Sequence, residues 1–238
     1  MTTLLHIDAS ARTKRSLSRR LSSLFVEQWR QQHPDAEIIR RDLGLAPPPH
    51  MSEAWIAAAF TPPAERSTEM RDTLALSDTL IAEVRAADLI VLGVPMYNYG
   101  MPSALKAWVD QIARVGETFS FDLARGDFPI EPELSGKHLV VLSSRGEFGF
   151  QPGGVRAASN HLDPHIATTG QYLGVVRKDI HLVAIEYQEF GDERFARSIA
   201  DAEQRVHALV RELAIGLPHS LRASPSLAAG MSSAARSR

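Results

Sequence analysis

The sequence predicts an α/β protein built on a parallel β-sheet with helices on both faces. Short apolar runs rich in β-branched residues alternate along the chain with longer stretches whose apolar residues recur at helical spacing. Such an alternation forms a parallel sheet, because each helix returns the chain through a right-handed crossover. The unbroken apolar character of the runs indicates strands that are buried on both faces. A length of 238 residues favours a single domain.

The amino-terminal part predicts two strands joined by a helix. Residues 4–8 form the first strand, and a polar loop over 9–15 follows it. The helix is predicted over 17–32, and the pattern His33-Pro34-Asp35 ends it. One face of this helix carries Leu21, Leu24, Phe25 and Trp29. Residues 36–42 form a short second strand.

The next part predicts an excursion, a helix, a strand and a second helix. Residues 43–63 hold two proline clusters around the apolar segment 54–60, so we expect an excursion or lid with one short helix. Helices are predicted over 65–86 and 104–115, on either side of a buried strand at 88–94. The segment around Trp55 and Phe60 and the helix carrying Trp108 are expected to supply apolar area, either for a lid or for a subunit interface.

The carboxyl-terminal part completes the sheet. A fourth strand is predicted over 137–143 and a fifth over 180–185, and helices over 160–173 and 193–214 accompany them. Five strands in this alternation fit the order 2-1-3-4-5 of the flavodoxin-like fold. We therefore expect one domain over residues 1–215. The remaining segment, 216–238, is rich in Ser, Ala, Arg and Gly without periodicity and is predicted to be disordered.

Composition narrows the class of function. The formal net charge is -2, which gives no electrostatic footprint for nucleic acid or for an anionic membrane. The chain has no cysteine, which excludes disulfides, thiolate catalysis and cysteine-ligated metals. No apolar run approaches the roughly 20 residues that span a bilayer. We expect a soluble cytoplasmic protein that binds neither nucleic acid nor membranes.

The loop after the third strand is the most informative segment. It runs from Pro95 to Pro102, and it carries Met96, Tyr97, Asn98 and Tyr99. Ligands of open α/β sheets bind at the carboxyl ends of the strands, where this loop must lie. Its side chains offer flat apolar contact together with a few amide and hydroxyl groups. They suit a planar ring system with polar edges, for which a flavin is the obvious candidate.

The loop after the first strand indicates a phosphate site. Ser16 and Ser18 open the first helix and Ser10 precedes it, so hydroxyls and free backbone N–H groups come together there. A helix cap with solvated serines is the alternative interpretation. The chain has neither a GxGxxG nor a GxxxxGK[ST] sequence, which argues against a dinucleotide Rossmann site and a P-loop. A phosphate held by hydroxyls in place of a glycine loop favours FMN.

The loop after the fourth strand adds Ser144, Arg145 and Gly146 at the same edge of the sheet. Glycine allows the backbone to approach a ring closely, and Arg145 can orient a phosphate, a carbonyl or a partner subunit. A turn with a solvated arginine is the alternative. A metal site at His161, Asp163 and His165 is not expected, because Pro164 interrupts any helix that would align the two histidines.

Taken together, these residues resemble the FMN-dependent NADH-azoreductases, also described as FMN-dependent NADH:quinone oxidoreductases. The resemblance covers about residues 4–213. Its most specific part is Pro95-Met96-Tyr97-Asn98-Tyr99, with Leu105-Lys106 and Asp110 behind it. The serine spacing, the stretch over 25–30 and Ser144-Arg145-Gly146 also fit.

The resemblance implies a tightly bound FMN, NADH or NADPH as electron donor, a quinone or azo acceptor and a homodimer. Hydride transfer takes place at the flavin, so no catalytic side chain is assigned. The implied cofactor contacts follow the motifs. They are Ser10, Ser16, Leu17 and Ser18 at the phosphate, Met96, Tyr97, Asn98 and Tyr99 at the ribityl chain and ring, and Ser144, Arg145, Gly146 and Glu147 at the polar edge of the ring.

Two features keep alternatives open. Members of the family often have glycine where Glu147 stands, so this carboxylate leaves the contact at the ring edge and the substrate preference undecided. The runner-up function is a flavodoxin-like electron carrier for a protein partner, which would require a strongly acidic docking face. The net charge of -2 gives that function little support. The sequence does not distinguish NADH from NADPH, nor does it identify the physiological acceptor.

Overall fold

A computed structural model describes residues 2–216. The strands of its main sheet are β1 (Thr3–Asp8), β2 (Glu37–Asp42), β3 (Leu89–Pro95), β6 (His138–Ser144) and β7 (Ile180–Ile185). These five strands are parallel and lie in the order β2-β1-β3-β6-β7, which confirms the predicted order 2-1-3-4-5. A separate antiparallel hairpin consists of β4 (Phe119–Phe121) and β5 (Ile130–Pro132). The helices are α1 (Leu17–Gln32), α2 (Glu53–Phe60), α3 (Thr68–Ala86), α4 (Ser103–Ile112), α5 (Asp163–Thr169) and α6 (Glu193–Gly216).

The sheet is buried on both faces by two separate cores. On one face α1 and α6 pack on the strands, with Phe25 and Trp29 of α1 and Leu209 of α6 fully buried. On the other face α3, α4 and α5 cover the sheet, and Trp108 of α4 is 2% exposed. Burial on both faces explains why the central strands are apolar along their whole length.

α5 is shorter than the helix predicted over 160–173. α5 begins at Asp163 rather than at residue 160, because the Asn160 side chain accepts hydrogen bonds from the N–H groups of Leu162 and Asp163. Pro164 lies in the first turn of α5 and does not interrupt it, since an N–H there needs no partner within the helix. After Thr169 the chain continues as a 3₁₀ turn up to Leu173.

The hairpin β4–β5 was not predicted, since its strands have only three residues each and leave little room for an alternating pattern. α4 ends at Ile112, three residues earlier than predicted. The hydroxyl of Thr118 donates to the carbonyl of Ile112 and accepts from the N–H of Arg114, which closes the chain into a turn.

The excursion over residues 43–63 contains α2, and α2 is anchored to the fold through Trp55. This corrects the expectation that Trp55 supplies apolar area for a lid or an interface. Trp55 is 6% exposed, and its indole N–H donates to Oε1 of Gln111 on α4 at 2.9 Å. Trp108 is also a core residue, so neither tryptophan supplies surface for a lid or an interface. Phe60, in contrast, is 74% exposed. α2 is therefore a packed element of the fold with one exposed aromatic side chain.

No helix within residues 2–216 is long and apolar enough to cross a membrane. The tail predicted to be disordered begins at the end of α6, and its residues 217–238 lie outside the described part of the chain.

Candidate functional site

A cleft of about 120 Å³ lies at the carboxyl ends of β1, β3 and β6. Residues Arg12, Arg15 and Gln188 line this cleft, and they also line an adjoining depression of about 490 Å³. The cleft brings together the loops that the sequence singled out. Its lining consists of Ser10, Arg12, Arg15, Ser16, Leu17, Pro95, Met96, Tyr97, Ser144, Gly146, Gln188 and Glu189.

The amino-terminal end of α1 supplies the donors for an anion. Ser16 is the N-cap, and its hydroxyl accepts from the N–H of Arg19 and lies 3.2 Å from the hydroxyl of Ser18. The N–H groups of Leu17 and Ser18 have no hydrogen-bond partner within residues 2–216. Free N–H groups at the start of a sixteen-residue helix favour a negative charge. Ser18 itself is fully buried and does not line the cleft.

Two cations of the same loop, Arg12 and Arg15, were not singled out from the sequence. Both line the cleft, both are exposed, and neither has a carboxylate partner within residues 2–216. An arginine suits a phosphate because its planar fork matches the oxygen geometry. The clue in the sequence was the spacing, since both cations lie between Ser10 and Ser16.

The aromatic loop turns at its tip. Tyr97 and Gly100 exchange two backbone hydrogen bonds around Asn98 and Tyr99, whose φ angles are 48° and 67°. Two consecutive positive φ values are typical of a type I′ turn, in which a tyrosine is unusual. Met96 and Tyr97 line the cleft, whereas the predicted contacts Asn98 and Tyr99 form the turn beyond its lining.

The loop after β6 divides between the cleft and the protein interior. Ser144 and Gly146 line the cleft. Arg145 is 2% exposed, and its guanidinium donates to both carboxylate oxygens of Asp163 at 2.7 Å. Its side chain is therefore committed to an internal ion pair. Its backbone N–H donates to the carbonyl of Ile185 and its carbonyl accepts from the N–H of Gln188, so Arg145 holds the loops after β6 and β7 together.

Glu147 joins the two loops outside the lining. Its carboxylate accepts from the hydroxyl of Tyr99 at 3.0 Å and from Nε of Arg156 at 2.9 Å. The hydrogen bond to Glu147 raises the pKa of the Tyr99 phenol above its ordinary value. The hydroxyl of Tyr99 therefore stays protonated and holds the aromatic loop against Glu147.

The loop after β7 closes the cleft from a fourth side. The N–H groups of Tyr187, Gln188 and Glu189 donate to the carbonyls of Glu147, Arg145 and Gly146. Glu189 lies directly over Gly146, where an added Cβ would be 2.7 Å from its Cγ. Gln188 and Glu189 were missed in the sequence, although their position after the fifth strand places them at the same edge of the sheet.

A larger hollow of about 580 Å³ lies elsewhere, near the amino-terminal ends of β6 and β7. Its lining includes Leu134 and Val175, and among residues 2–216 Arg177 is its one charged lining residue. Because ligands of open α/β sheets bind at the carboxyl ends of the strands, the smaller cleft is the better candidate site.

Comparisons with known proteins agree with this architecture. Residues 2–210 match the sequence profile of a family described as a flavodoxin-like fold. The chain is 49% identical over 234 residues to a protein of Idiomarina loihiensis named FMN-dependent NADH:quinone oxidoreductase 2, covering 95% of this chain and 97% of the relative. It is 45% identical over 212 residues to FMN-dependent NAD(P)H:quinone oxidoreductase 1 of Pseudomonas aeruginosa, covering 89% and 99%.

Two solved structures share the fold. An azoreductase of Bacillus anthracis has a TM-score of 0.78 at 20% identity, with 89% of this chain and 100% of that chain covered. An FMN-dependent NADH-azoreductase of the same organism, determined in complex with FMN, has a TM-score of 0.78 at 18% identity, with 90% and 100% covered.

Proposed function

The chain belongs to the flavodoxin-like family and, within it, to the FMN-dependent NADH:quinone oxidoreductases, and from this premise we propose how its cleft works. The protein is an FMN-dependent oxidoreductase that passes electrons from NAD(P)H to quinones and to azo compounds. FMN carries the redox chemistry, so the protein must bind, orient and shield it.

The observation that supports this function best is that the cleft combines an anion-binding part with an apolar part. Its lining includes Ser10, Arg12, Arg15 and Ser16 from the loop after β1 and the start of α1, together with Met96 and Tyr97 from the loop after β3. A phosphate fits the first part, because free N–H groups, hydroxyls and unpaired cations meet there. A planar ring fits the second part, because thioether and aromatic groups present polarisable surface.

We assign the phosphate of FMN to Ser10, Ser16, Leu17 and Ser18, and we add Arg12 and Arg15 to this set. Met96 and Tyr97 would contact the ribityl chain and the ring, and Ser144 and Gly146 would contact its polar edge. Gly146 has no side chain, which lets Glu189 of the loop after β7 pack directly over it at the edge of the cleft. Asn98, Tyr99, Arg145 and Glu147 flank these residues and would act through backbone groups or through the position of their loops.

The chain's residues have a restricted part in the reaction. When bound, FMN supplies the redox chemistry, namely a hydride accepted from NAD(P)H and then delivered to a quinone or an azo compound. Backbone N–H groups of the loop after β6 would stabilise negative charge at the polar edge of the ring. The loop after β7 makes three backbone hydrogen bonds to that loop, and we expect it to shield the bound ring from water.

An electron carrier is the less favoured function. The relatives at 45–49% identity are named as NADH or NAD(P)H oxidoreductases, which are enzymes acting on small molecules.

We propose further that the protein is cytoplasmic and forms a homodimer. Support for the dimer comes from exposed apolar side chains on the hairpin and the excursion, which are Phe121, Leu123, Phe128, Leu45 and Phe60.

Cofactor binding tests this assignment. Fluorescence quenching of FMN by the apoprotein should saturate, and the variant Arg12→Gln/Arg15→Gln should bind FMN about tenfold or more weakly, since two charged contacts to phosphate are lost. The variant Arg211→Gln, in which an exposed cation of α6 is replaced, should bind like the wild type. Equal affinity of the double variant and the wild type would remove Arg12 and Arg15 from the phosphate site.

A further inference from the structure

Arg19 makes the densest set of polar contacts near the cleft without lining it. Its Nη2 and Nε donate to the carbonyl of Ser10 at 2.7 and 3.2 Å. Its Nη1 and Nη2 donate to the two carboxylate oxygens of Asp42 at 2.6 Å each. The guanidinium thus joins the loop after β1 to the end of β2 in a bidentate geometry.

Two neighbours fix the guanidinium further. The buried carboxylate of Asp8 lies 3.4 Å from Nη1. Gly44 packs against the contact itself, since an added Cβ would be 2.0 Å from the carbonyl oxygen of Ser10 and 2.6 Å from Nη2 of Arg19. A side chain at position 44 would separate Arg19 from Ser10, so the close approach requires glycine.

The position of the positively charged Arg19 in α1 is electrostatically unfavourable for the helix. It is the third residue of α1, where the helix dipole favours a negative charge. It also has an 11% exposed side chain, so its charge is largely removed from water. The hydrogen bond from Arg19 holds the pKa of Asp42 below its usual range. The pair is therefore ionised, and its geometry is held at neutral pH.

We propose that Arg19 is a positioning residue for the cofactor's phosphate, an inference that rests on the proposed FMN site. By holding the Ser10 carbonyl, Arg19 fixes the planar peptide between Ser10 and Ala11, so that the N–H of Ala11 points away from Arg19. That N–H has no hydrogen-bond partner within residues 2–216. Arg19 thereby orients the Ala11 N–H as a donor without touching the phosphate. It also fixes the loop in which the Ser10 hydroxyl accepts from the N–H of Arg12 at 3.2 Å.

This role differs from simple charge attraction and from general stabilisation. A positive charge on α1 would attract phosphate whatever its geometry. A purely structural residue would affect every ligand of the cleft alike. A positioning residue affects only the ligand that carries phosphate, and it requires the fork of arginine.

Comparing FMN with riboflavin isolates the effect, because riboflavin has the same ring system and lacks the phosphate. Dissociation constants of both flavins are measured by fluorescence quenching with the apoprotein, and its melting temperature is recorded. For Arg19→Gln we expect FMN affinity to fall about tenfold, the size of one hydrogen bond to a charged group, with riboflavin affinity unchanged. Arg19→Lys keeps the charge but loses the fork, so it should lose nearly as much.

The variant Asp42→Asn separates positioning from charge, because the two explanations predict opposite changes in FMN affinity. Removing a carboxylate near a phosphate should tighten FMN binding if charge alone matters. If Asp42 holds Arg19 on Ser10, FMN binding should weaken. Arg20→Gln is the control, since Arg20 is exposed on the same turn of α1 and pairs with Glu203, not with Ser10.

The outcomes are distinct. Loss of FMN affinity in Arg19→Gln, Arg19→Lys and Asp42→Asn, with riboflavin affinity and Arg20→Gln unaffected, supports the proposal. Full retention of FMN affinity in Arg19→Lys, or equal loss for both flavins, overturns it. A wild-type protein that binds neither flavin overturns the proposed function instead. If Arg19→Gln does not fold, Arg19→Lys and Asp42→Asn decide the question.

Discussion

Asp8 shows how single residues prepare the cleft for an anion. Its carboxylate is 2% exposed at the end of β1, directly before the phosphate loop. The hydroxyl of Ser22 donates to it at 2.7 Å, and Arg19, His6 and Arg40 lie within 3.7 Å of it. A buried carboxylate needs such partners, and an unbalanced one would repel a neighbouring phosphate. Arg19 and Arg40 beside Asp8 therefore serve stability and binding together.

His181 gives a prediction about pH. Its ring stacks on that of His138 at 5.8 Å across β6 and β7, and burial first, then His138, lowers its pKa. A lowered histidine pKa means that the unfolded chain binds the proton more readily. This group therefore reduces the free energy of unfolding as pH falls from about 6.5 towards the folded pKa. The free energy of unfolding, measured with urea at pH 7.5 and at pH 5.5, should fall less between these two pH values in His181→Gln than in the wild type.

The control for this prediction is His50→Gln, because His50 is exposed in the excursion. It should lose as much stability between the two pH values as the wild type. An equal loss in His181→Gln would show that the half-buried ring of His181 does not cause the decline.

Which side chains enter the cleft was only partly predictable. Ser10, Ser16, Met96, Tyr97 and Gly146 were found because each follows the end of a strand or caps a helix, which local patterns reveal. The side chain of Arg145 goes to Asp163, eighteen positions along the chain, and no local pattern contains that choice. Rotamers that depend on distant partners are decided only by tertiary packing.

At the scale of elements, α2 is held by one aromatic anchor. Trp55 packs with Ala58 and Leu74 and donates to Gln111, so α2 is tied to both α3 and α4. The proline-rich sequence around α2 predicted an excursion or lid with one short helix, and the buried indole packs that helix onto the fold.

Truncating this anchor should have a large effect. Trp55→Ala should lower the free energy of unfolding by about 3–5 kcal/mol, the usual cost of deleting a buried aromatic ring. Ile56→Ala, on the exposed side of the same helix, should change it by less than about 0.5 kcal/mol. Urea denaturation measures both. Similar values for the two variants would contradict the assignment of Trp55 as the anchor.

Element boundaries were predictable where local chemistry sets them. α1 has the predicted bounds because Ser16 caps it and His33-Pro34 follows it. α5 was predicted too long because its start depends on the side chain of Asn160, which satisfies the first N–H groups. The hairpin β4–β5 was missed because strands of three residues carry too few positions for a period to be recognised.

At the scale of the whole molecule, the sheet order creates the site. The loops after β1, β3, β6 and β7 are far apart in sequence and meet because their strands are adjacent or nearly so in the sheet. The alternation of strands and helices predicted that order. The closure by the β7 loop could not be predicted, since it rests on three backbone hydrogen bonds between irregular segments.

The proposed homodimer is a prediction at this scale. Phe128 and Leu123 lie in the connection of the β4–β5 hairpin and are 85% and 75% exposed. Large exposed apolar surfaces mark protein–protein contacts. Light scattering should give twice the chain mass, and Phe128→Asp should shift it towards the monomer. Ile215→Asp, at the end of α6, should leave the dimer intact. A wild-type mass of one chain would contradict the proposal.

The most direct test of the enzyme's function is the rate of menadione-dependent NADH oxidation as FMN is added to the apoprotein. Before FMN is added, we expect the apoprotein to leave the rate of NADH oxidation at its background value. As FMN is added, the rate should rise above that of free FMN alone and should saturate when FMN and the chain are equimolar. Replacing FMN with riboflavin should give a much lower rate at the same concentration, because the phosphate site is left empty. A protein that binds FMN and leaves NADH oxidation unchanged, or one that accelerates it without FMN, would contradict the account.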